Sequence, residues 1–214
     1  MNVAIAGGHG KIALELTRLL TARGDRVISL IRDSEQRQDV EAAGGEPVLC
    51  DLEAADPAEL AEAIAGADAV VFAAGAGPGS GPERKETVDH EGATKLIEGA
   101  RSADAGRYLI ISSMGADPEH RGEEVFDVYL RAKGRADAEL AASGLAYTIV
   151  RPGRLTDEPP SGQVEVGESV ERGEISRADV AAVLVACLDS DETVSRAFEV
   201  VSGEVPIAEA LGAA

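Results

Sequence analysis

Short apolar runs alternate with longer stretches of helical spacing along the whole chain. Residues 2–6 carry β-branched Val3 and Ile5 and predict a strand. Residues 11–24 follow with Ile12, Leu16, Leu19 and Leu20 on one helical face and Gly24 as the stop. A second strand is predicted at 26–32, then a polar helix running to Gly44 and Gly45, and a third strand at 46–52. Asp56 is a good N-cap and Pro57 suits the first turn of the short helix after it. Residues 67–75 read as a fourth strand, and the glycines and prolines of 76–82 forbid regular structure. A long helix at 83–103, a strand at 107–113, a polar loop at 115–124 and a helix at 125–144 come next. A sixth strand is expected at 145–153, an irregular stretch at 154–173 with short alternating pieces such as 163–166, a helix at 175–190 capped by Ser176, and a last strand at 196–203.

Nearly continuous apolar strands separated by helices indicate a parallel sheet covered on both faces. The expected fold is therefore α/β: a Rossmann-type, doubly wound, mostly parallel sheet in a single domain spanning residues 1–214. Residues 154–175 are expected to form a small irregular substrate lid within it. Ligands of such sheets lie beyond the carboxyl ends of the strands, where the strand order reverses. The loops after Ala6, Ile31, Ala73, Ser112 and Val150 should then share one rim, with Ala73, Ala74, Gly75 and Ser112 among the cofactor contacts.

The first rim loop holds the most specific pattern. Gly7-Gly8-His9-Gly10-Lys11-Ile12-Ala13 reads G-x-x-G-x-x-A between the first strand and the first helix. Gly7 permits a tight turn, Gly10 lets backbone approach a pyrophosphate, and Ala13 is small enough for the helix to pack closely on the sheet. The free N–H groups at Lys11 and Ile12 and the positive end of the helix then face the phosphates. His9 either touches phosphate or is a solvated turn residue. At the end of the second strand Arg32 can pair with the 2′-phosphate of NADP, while adjacent Asp33 offers the carboxylate that favours NAD; Arg32 comes first, and NADP is the favoured cofactor. Asp51 and Leu52 either border the adenine or, for Asp51, cap the next turn.

Tyr129 and Lys133 stand four residues apart on a predicted helix and share a face. An ammonium beside a phenol favours the phenolate, so the tyrosine can exchange a proton with a carbonyl or alcohol while a nicotinamide handles the hydride. Ser112 and Ser113 end the fifth strand on the rim, where one of them can hydrogen-bond the reacting oxygen. The same spacing also fits a helix surface with a ribose contact.

Composition narrows the remaining classes. The chain has 214 residues, 44% of them apolar, and only 3% aromatic with no tryptophan, so the core must be built from Ala, Val, Leu and Ile. A net charge of −19 repels nucleic acid and anionic lipid, so neither is an expected partner. Cys50 and Cys187 fit reduced thiols in core segments of a cytoplasmic protein. No run approaches a membrane span and no leader is expected at the N-terminus. His9, His90 and His120 lack metal-ligand spacing, and no metal is expected. Phe126 is assigned to core packing in preference to the pocket. No hydrolase nucleophile elbow or P-loop ending occurs.

Taken together, AGGHGKIA at Ala6, the Arg32 strand end, CDL at Cys50, FAAG at Phe72, VDHEGATKLIEGAR at Val88, IISSMGA at Ile110, YLRAK at Tyr129, YTIVRPGRL at Tyr147 and ISRADVA at Ile175 carry a resemblance over nearly the whole chain. The chain resembles the short-chain dehydrogenase/reductase superfamily in its atypical branch, the NAD(P)-binding epimerase/dehydratase-like proteins, and more distantly NmrA-like proteins. That resemblance implies Tyr129 as acid/base, Lys133 as its partner and ribose ligand, Ser113 as carbonyl polariser, and Pro152 and Gly153 near the nicotinamide. Asp89 stands where the family's catalytic set has an asparagine, which alters the proton relay or the charge near Lys133. Two functions follow as expectations. One is an NADP-dependent oxidoreductase acting on a small carbonyl, alcohol or ring substrate as a monomer or homodimer. The other is a non-catalytic dinucleotide-binding regulator.

Overall fold

The computed structural model describes residues 1–77 and 79–212; Pro78 of the expected 76–82 loop, and Ala213 and Ala214 of the expected domain, lie outside them. The strands are β1 (Asn2–Ala6), β2 (Arg26–Ile31), β3 (Glu46–Leu49), β4 (Ala69–Phe72), β5 (Arg107–Ile111), β6 (Tyr147–Pro152), β7 (Arg154–Thr156), β8 (Gln163–Gly167), β9 (Glu174–Ser176), β10 (Arg196–Ser202) and β11 (Val205–Pro206). The helices are α1 (Lys11–Ala22), α2 (Arg37–Ala42), α3 (Pro57–Ala63), α4 (Pro82–Arg84), α5 (Gly92–Ser102), α6 (Val125–Ala142), α7 (Arg177–Asp189) and α8 (Ile207–Ala210).

The main sheet has nine strands in the order β11-β8-β10-β6-β5-β4-β1-β2-β3. From β3 to β10 every pairing is parallel, and β1 lies between β2 and β4, so the order reverses at β1. This is the expected Rossmann-type α/β arrangement, and it puts the glycine turn at the switch point.

Alternate strand residues feed two cores. Val3, Ile5, Val71 and Leu109 pack with Leu16 and Leu20 of α1 and Leu184 of α7. Ala4, Ala6, Val70 and Ile110 pack with Leu60 of α3, Leu96 of α5 and Leu140 of α6. Small residues at Ala4, Ala6 and Ala13 let the helices lie close to the sheet. Leu19, expected on the buried face of α1, is 42% exposed, because the core side is completed by Ala13 and Thr17 instead.

The sequence reading departs from the structure mainly at residues 154–173. These are not irregular: β7 pairs with β9 in a small parallel sheet, and β8 joins the main sheet antiparallel to β10. The anchor is Asp179, buried in the first turn of α7. Its carboxylate accepts the Ser161 and Gly162 N–H groups at 3.0 and 2.8 Å and the Ser176 hydroxyl at 2.9 Å. The short alternating piece at 163–166 is the strand β8, and the buried Asp179 cap anchors the turn that leads into it. β11 and α8 lie beyond the expected last strand, where β11 covers the edge of β8.

The helix expected at 83–103 is continuous but not uniform. Residues Lys85–Glu91 between α4 and α5 form a π-helical segment. Its widened turns bury Lys85, Val88 and Asp89 on one side; such segments are frequent at functional sites.

Candidate dinucleotide site and its adjoining cavity

The turn from β1 into α1 is shaped by close backbone contact. Gly7 has φ +76°, and a Cβ there would stand 2.6 Å from Ala74 Cα in the loop after β4. At Gly8 a Cβ would lie 2.5 Å from that of Ser29 on β2. Gly10 is the N-cap of α1 and supplies no side-chain cap. Among the described residues the N–H groups of Lys11, Ile12 and Ala13 have no acceptor, and no acidic side chain occupies that first turn. A helix end with unspent donors and its positive pole is built to receive an anion.

Two cavities flank this turn and share Ala73, Ala74 and Gly75. The first, about 260 Å³, is lined by Gly7, His9, Gly10, Arg32, Asp51 and Leu52, together with Cys50, Glu53 and Arg84. Arg32 is exposed there. Asp33 is occupied otherwise: its carboxylate accepts the Glu35 N–H at 2.9 Å and caps the turn before α2. Asp51 lines the cavity and also caps its own turn, accepting the Glu53 N–H at 3.0 Å. His9 Nε2 lies 2.7 Å from Asp39. Arg84 holds Glu53 at 2.6 Å, and hydrogen bonds from Arg84 and Thr87 keep the Glu53 carboxyl below its usual range. Cys50, expected in the core, is only half-buried, whereas Cys187 is fully buried and its thiol is pushed up to about 12 by burial.

The second cavity, about 520 Å³, is lined by Ile12, Leu155, Phe126 and Tyr129 on its apolar side and by Lys85, Asp89, Ser112 and Lys133 on its polar side. Phe126 is 61% exposed, which overturns its assignment to the core: it stacks on Tyr129 with ring centres 5.9 Å apart. Lys133 is buried, donates to the Ile111 carbonyl at 3.0 Å, and lies 3.3 Å from Asp89 Oδ1. That ion pair lacks a well-aligned hydrogen bond, and the other carboxylate oxygen accepts the Ala76 N–H at 3.1 Å. Burial works against the Lys133 ammonium, but Asp89, Tyr129 and Asp137 outweigh it and hold its proton above the ordinary lysine range. Asp89 thus clamps the loop after β4 and balances Lys133.

One turn further along α6, Asp137 is buried and accepts the Ser112 hydroxyl at 2.8 Å and the Arg151 guanidinium at 2.9 Å. Burial pushes its carboxyl up, and Arg151, Ser112 and Lys133 offset only part of this. At Lys85, Nζ lies 5.3 Å from the Tyr129 ring centre and donates to the Gly77 carbonyl at 3.0 Å.

With this geometry in place, a profile of the NAD(P)H-binding family matches residues 7–191. The chain belongs to the NAD(P)H-binding family. It is 42% identical to YhfK of Bacillus subtilis, named an uncharacterized sugar epimerase, over 99% of both chains. A candidate NAD-dependent epimerase/dehydratase from Bacillus halodurans superposes with a TM-score of 0.91 at 36% identity, again over 99% of both chains. The oxidoreductase YlbE from Lactococcus lactis gives 0.84 at 27% identity, over 99% of this chain and 95% of that one. Nucleotide binding in an oxidoreductase- and epimerase-like family is therefore the coarse function.

Within this family member, the expected residues Gly7, His9, Gly10, Arg32, Asp51, Leu52, Ala73, Ala74 and Gly75 line the first cavity, and Ile12, Asp89, Ser112, Tyr129 and Lys133 line the second. Four others do not line either. Lys11 is exposed and bonds Asp157 at 2.5 Å. Ser113 donates to the Met114 carbonyl at 3.3 Å. Pro152 is buried in β6, and a Cβ on Gly153 would meet the Gly173 carbonyl at 2.4 Å, so that glycine serves the approach of the β9 entry. Sequence reasoning missed Lys85, Arg84 and Asp137. Asp137 repeats the i+4 spacing of Tyr129 and Lys133, and Lys85 stands four before Asp89, so each shares a helical face with a candidate residue. Among the described residues no helix is long and apolar enough to cross a membrane.

The Lys133–Asp89 pair makes a direct prediction. Lys133→Met leaves a carboxylate buried without its cation and should cost about 3–5 kcal/mol, while adding Asp89→Asn should recover much of that loss in urea unfolding. Because the folded ammonium titrates above its unfolded value, its contribution is complete below the unfolded lysine pKa and fades as pH climbs through the folded one. The double variant should therefore lose part of the alkaline decline in stability.

Proposed function

We propose that the chain is an NADP-dependent oxidoreductase of the atypical short-chain dehydrogenase/reductase type. It moves a hydride to or from a small carbonyl, alcohol or ring substrate. The observation that carries this reading is one trough made of two cavities. A polar end at Arg32 leads past the open α1 N-terminus and Ala73–Gly75 to an apolar end at Tyr129.

The residues present fit the dinucleotide. Gly7 lets the turn pack against Ala74, Gly10 caps α1 without a side chain, and the N–H groups of the first α1 turn would hold the diphosphate. Arg32 would take the 2′-phosphate. With Asp33 spent on its cap, the carboxylate that would favour NAD is turned to local structure, so NADP is preferred. A bound nicotinamide supplies the hydride chemistry. In the apolar cavity Tyr129 gives or takes a proton at the substrate oxygen; its hydroxyl has no partner among the described residues, whereas Ser112, Ser113 and Lys133 are all engaged. Lys133 and Asp89 hold the floor of the cavity and the loop after β4. Leu155, on β7 of the 154–175 lid, helps exclude water.

The engagement of Ser112 with Asp137 and of Lys133 with Asp89 also favours a second reading, in which the dinucleotide is bound as a redox signal and no substrate turns over.

Two experiments test the proposal. Tyr129→Phe should lower NADPH oxidation across a carbonyl and quinone panel by about 10²–10³-fold without weakening NADP binding; equal turnover would remove Tyr129 from the mechanism, and no turnover by the wild-type chain would favour the second reading. Arg32→Ala should weaken NADP by roughly tenfold or more while leaving NAD affinity within about twofold; equal losses for both would reassign Arg32.

A further inference from the structure

Lys85 is the charged group that the proposed chemistry leaves unused. Its residue is only 9% exposed, yet it lines the apolar cavity. A buried ammonium ordinarily has a counterion. The other buried charges of this cavity, Lys133 and Asp89, balance one another. Among the described residues Lys85 has no carboxylate within ion-pair distance; its partners are the Gly77 carbonyl and the face of Tyr129. An ammonium has three N–H donors, so donors remain for a ligand. In a chain of net charge −19 this leaves the cavity lining with one uncompensated positive charge.

The wall beside it is aromatic. The chain has only three phenylalanines and three tyrosines. Phe126 and Tyr129 stack on each other along this cavity, and Phe126 remains largely exposed while Tyr108 and Phe198 fill the core. An exposed aromatic face continuous with a cavity favours a flat, unsaturated ligand.

We propose that Lys85 receives the anionic group of a planar, unsaturated carboxylate-bearing substrate whose ring system lies against Phe126 and Tyr129. Resting on the oxidoreductase reading, the proposal names the substrate class of that same cavity and makes Lys85 its specificity residue.

The test is equilibrium binding, which does not require turnover. The full chain, alone and with NADP, is titrated calorimetrically with 2-naphthoate and with its neutral analogue 2-naphthylmethanol. The wild type should prefer the carboxylate by roughly tenfold or more. Lys85→Met should abolish that preference and leave 2-naphthylmethanol within about twofold; Lys85→Arg should keep most of it. Equal affinity of the two probes for the wild type, binding of neither, or a preference unchanged in Lys85→Met would overturn the proposal. So would a Lys85→Met variant that loses NADP affinity but keeps the carboxylate preference, since Lys85 would then belong to the dinucleotide. Should Lys85→Met fail to fold, the wild-type probe ratio and Lys85→Arg decide. Failure to oxidise NADPH with any carbonyl would remove the oxidoreductase reading and leave this binding comparison intact.

Discussion

The first turn of α1 offers backbone N–H groups that nothing in the described chain accepts. Most of the surrounding structure can be understood as the means of keeping that end bare and pointed at the trough. The turn requires a positive φ at Gly7 and near-contact with the Ala74 backbone, which ties the first rim loop to the loop after β4. Ala13 brings α1 down onto the sheet against Val3 and Ile5 of β1. Reversal of strand order at β1 opens the crevice into which the helix end faces. A side chain at Gly7 or Gly8 would collide with Ala74 or Ser29 and push the turn out of this shape.

Electrostatics sharpen the same point. A chain of net charge −19 must gather positive potential locally to hold a polyanion. Positive potential gathers at the α1 pole and at Arg32 beside the first cavity, while Lys85 adds a separate charge to the lining of the second. The acidic groups near the site are engaged in structural contacts. Asp33 and Asp51 cap turns, Glu53 binds Arg84, Asp89 balances Lys133, and Asp137 ties Ser112 on the β5 end to Arg151 on β6. The buried pairs fix the rim and leave Tyr129 free at its edge.

Strand–helix alternation and the glycine turn were legible in sequence because both depend on local pattern: apolar runs of strand length, helical spacing, and glycines where β1 meets α1. Much of the lining of the first cavity was legible from the glycine motif, the ends of the second and third strands, and the convergence of loops at one end of a parallel sheet. What escaped was set by tertiary context. Residues 154–173 looked irregular because their order comes from distant partners: β9 and β10 as strands, and Asp179 as a buried cap from a later helix. Phe126 looked like core because it is apolar, yet it stands in the first turn of α6 at the edge of the cavity, stacked on Tyr129. The Tyr129–Lys133 spacing correctly placed both on one cavity, yet gave no hint that a residue on the π-helical segment, Lys85, would lie over the tyrosine ring. Pro152 and Gly153 were tied to the cofactor by resemblance, whereas Gly153 here makes room for the chain entering β9.

The most direct measurement is calorimetric titration of the folded chain with NADP, NADPH, NAD and NADH, alongside Gly10→Glu, which sets a carboxylate at the bare helix end. The account predicts saturable binding with NADP preferred over NAD, and a loss of roughly tenfold or more in the variant while its unfolding stays cooperative. Absence of affinity for all four dinucleotides in well-folded wild-type protein, or undiminished binding by Gly10→Glu, would contradict it.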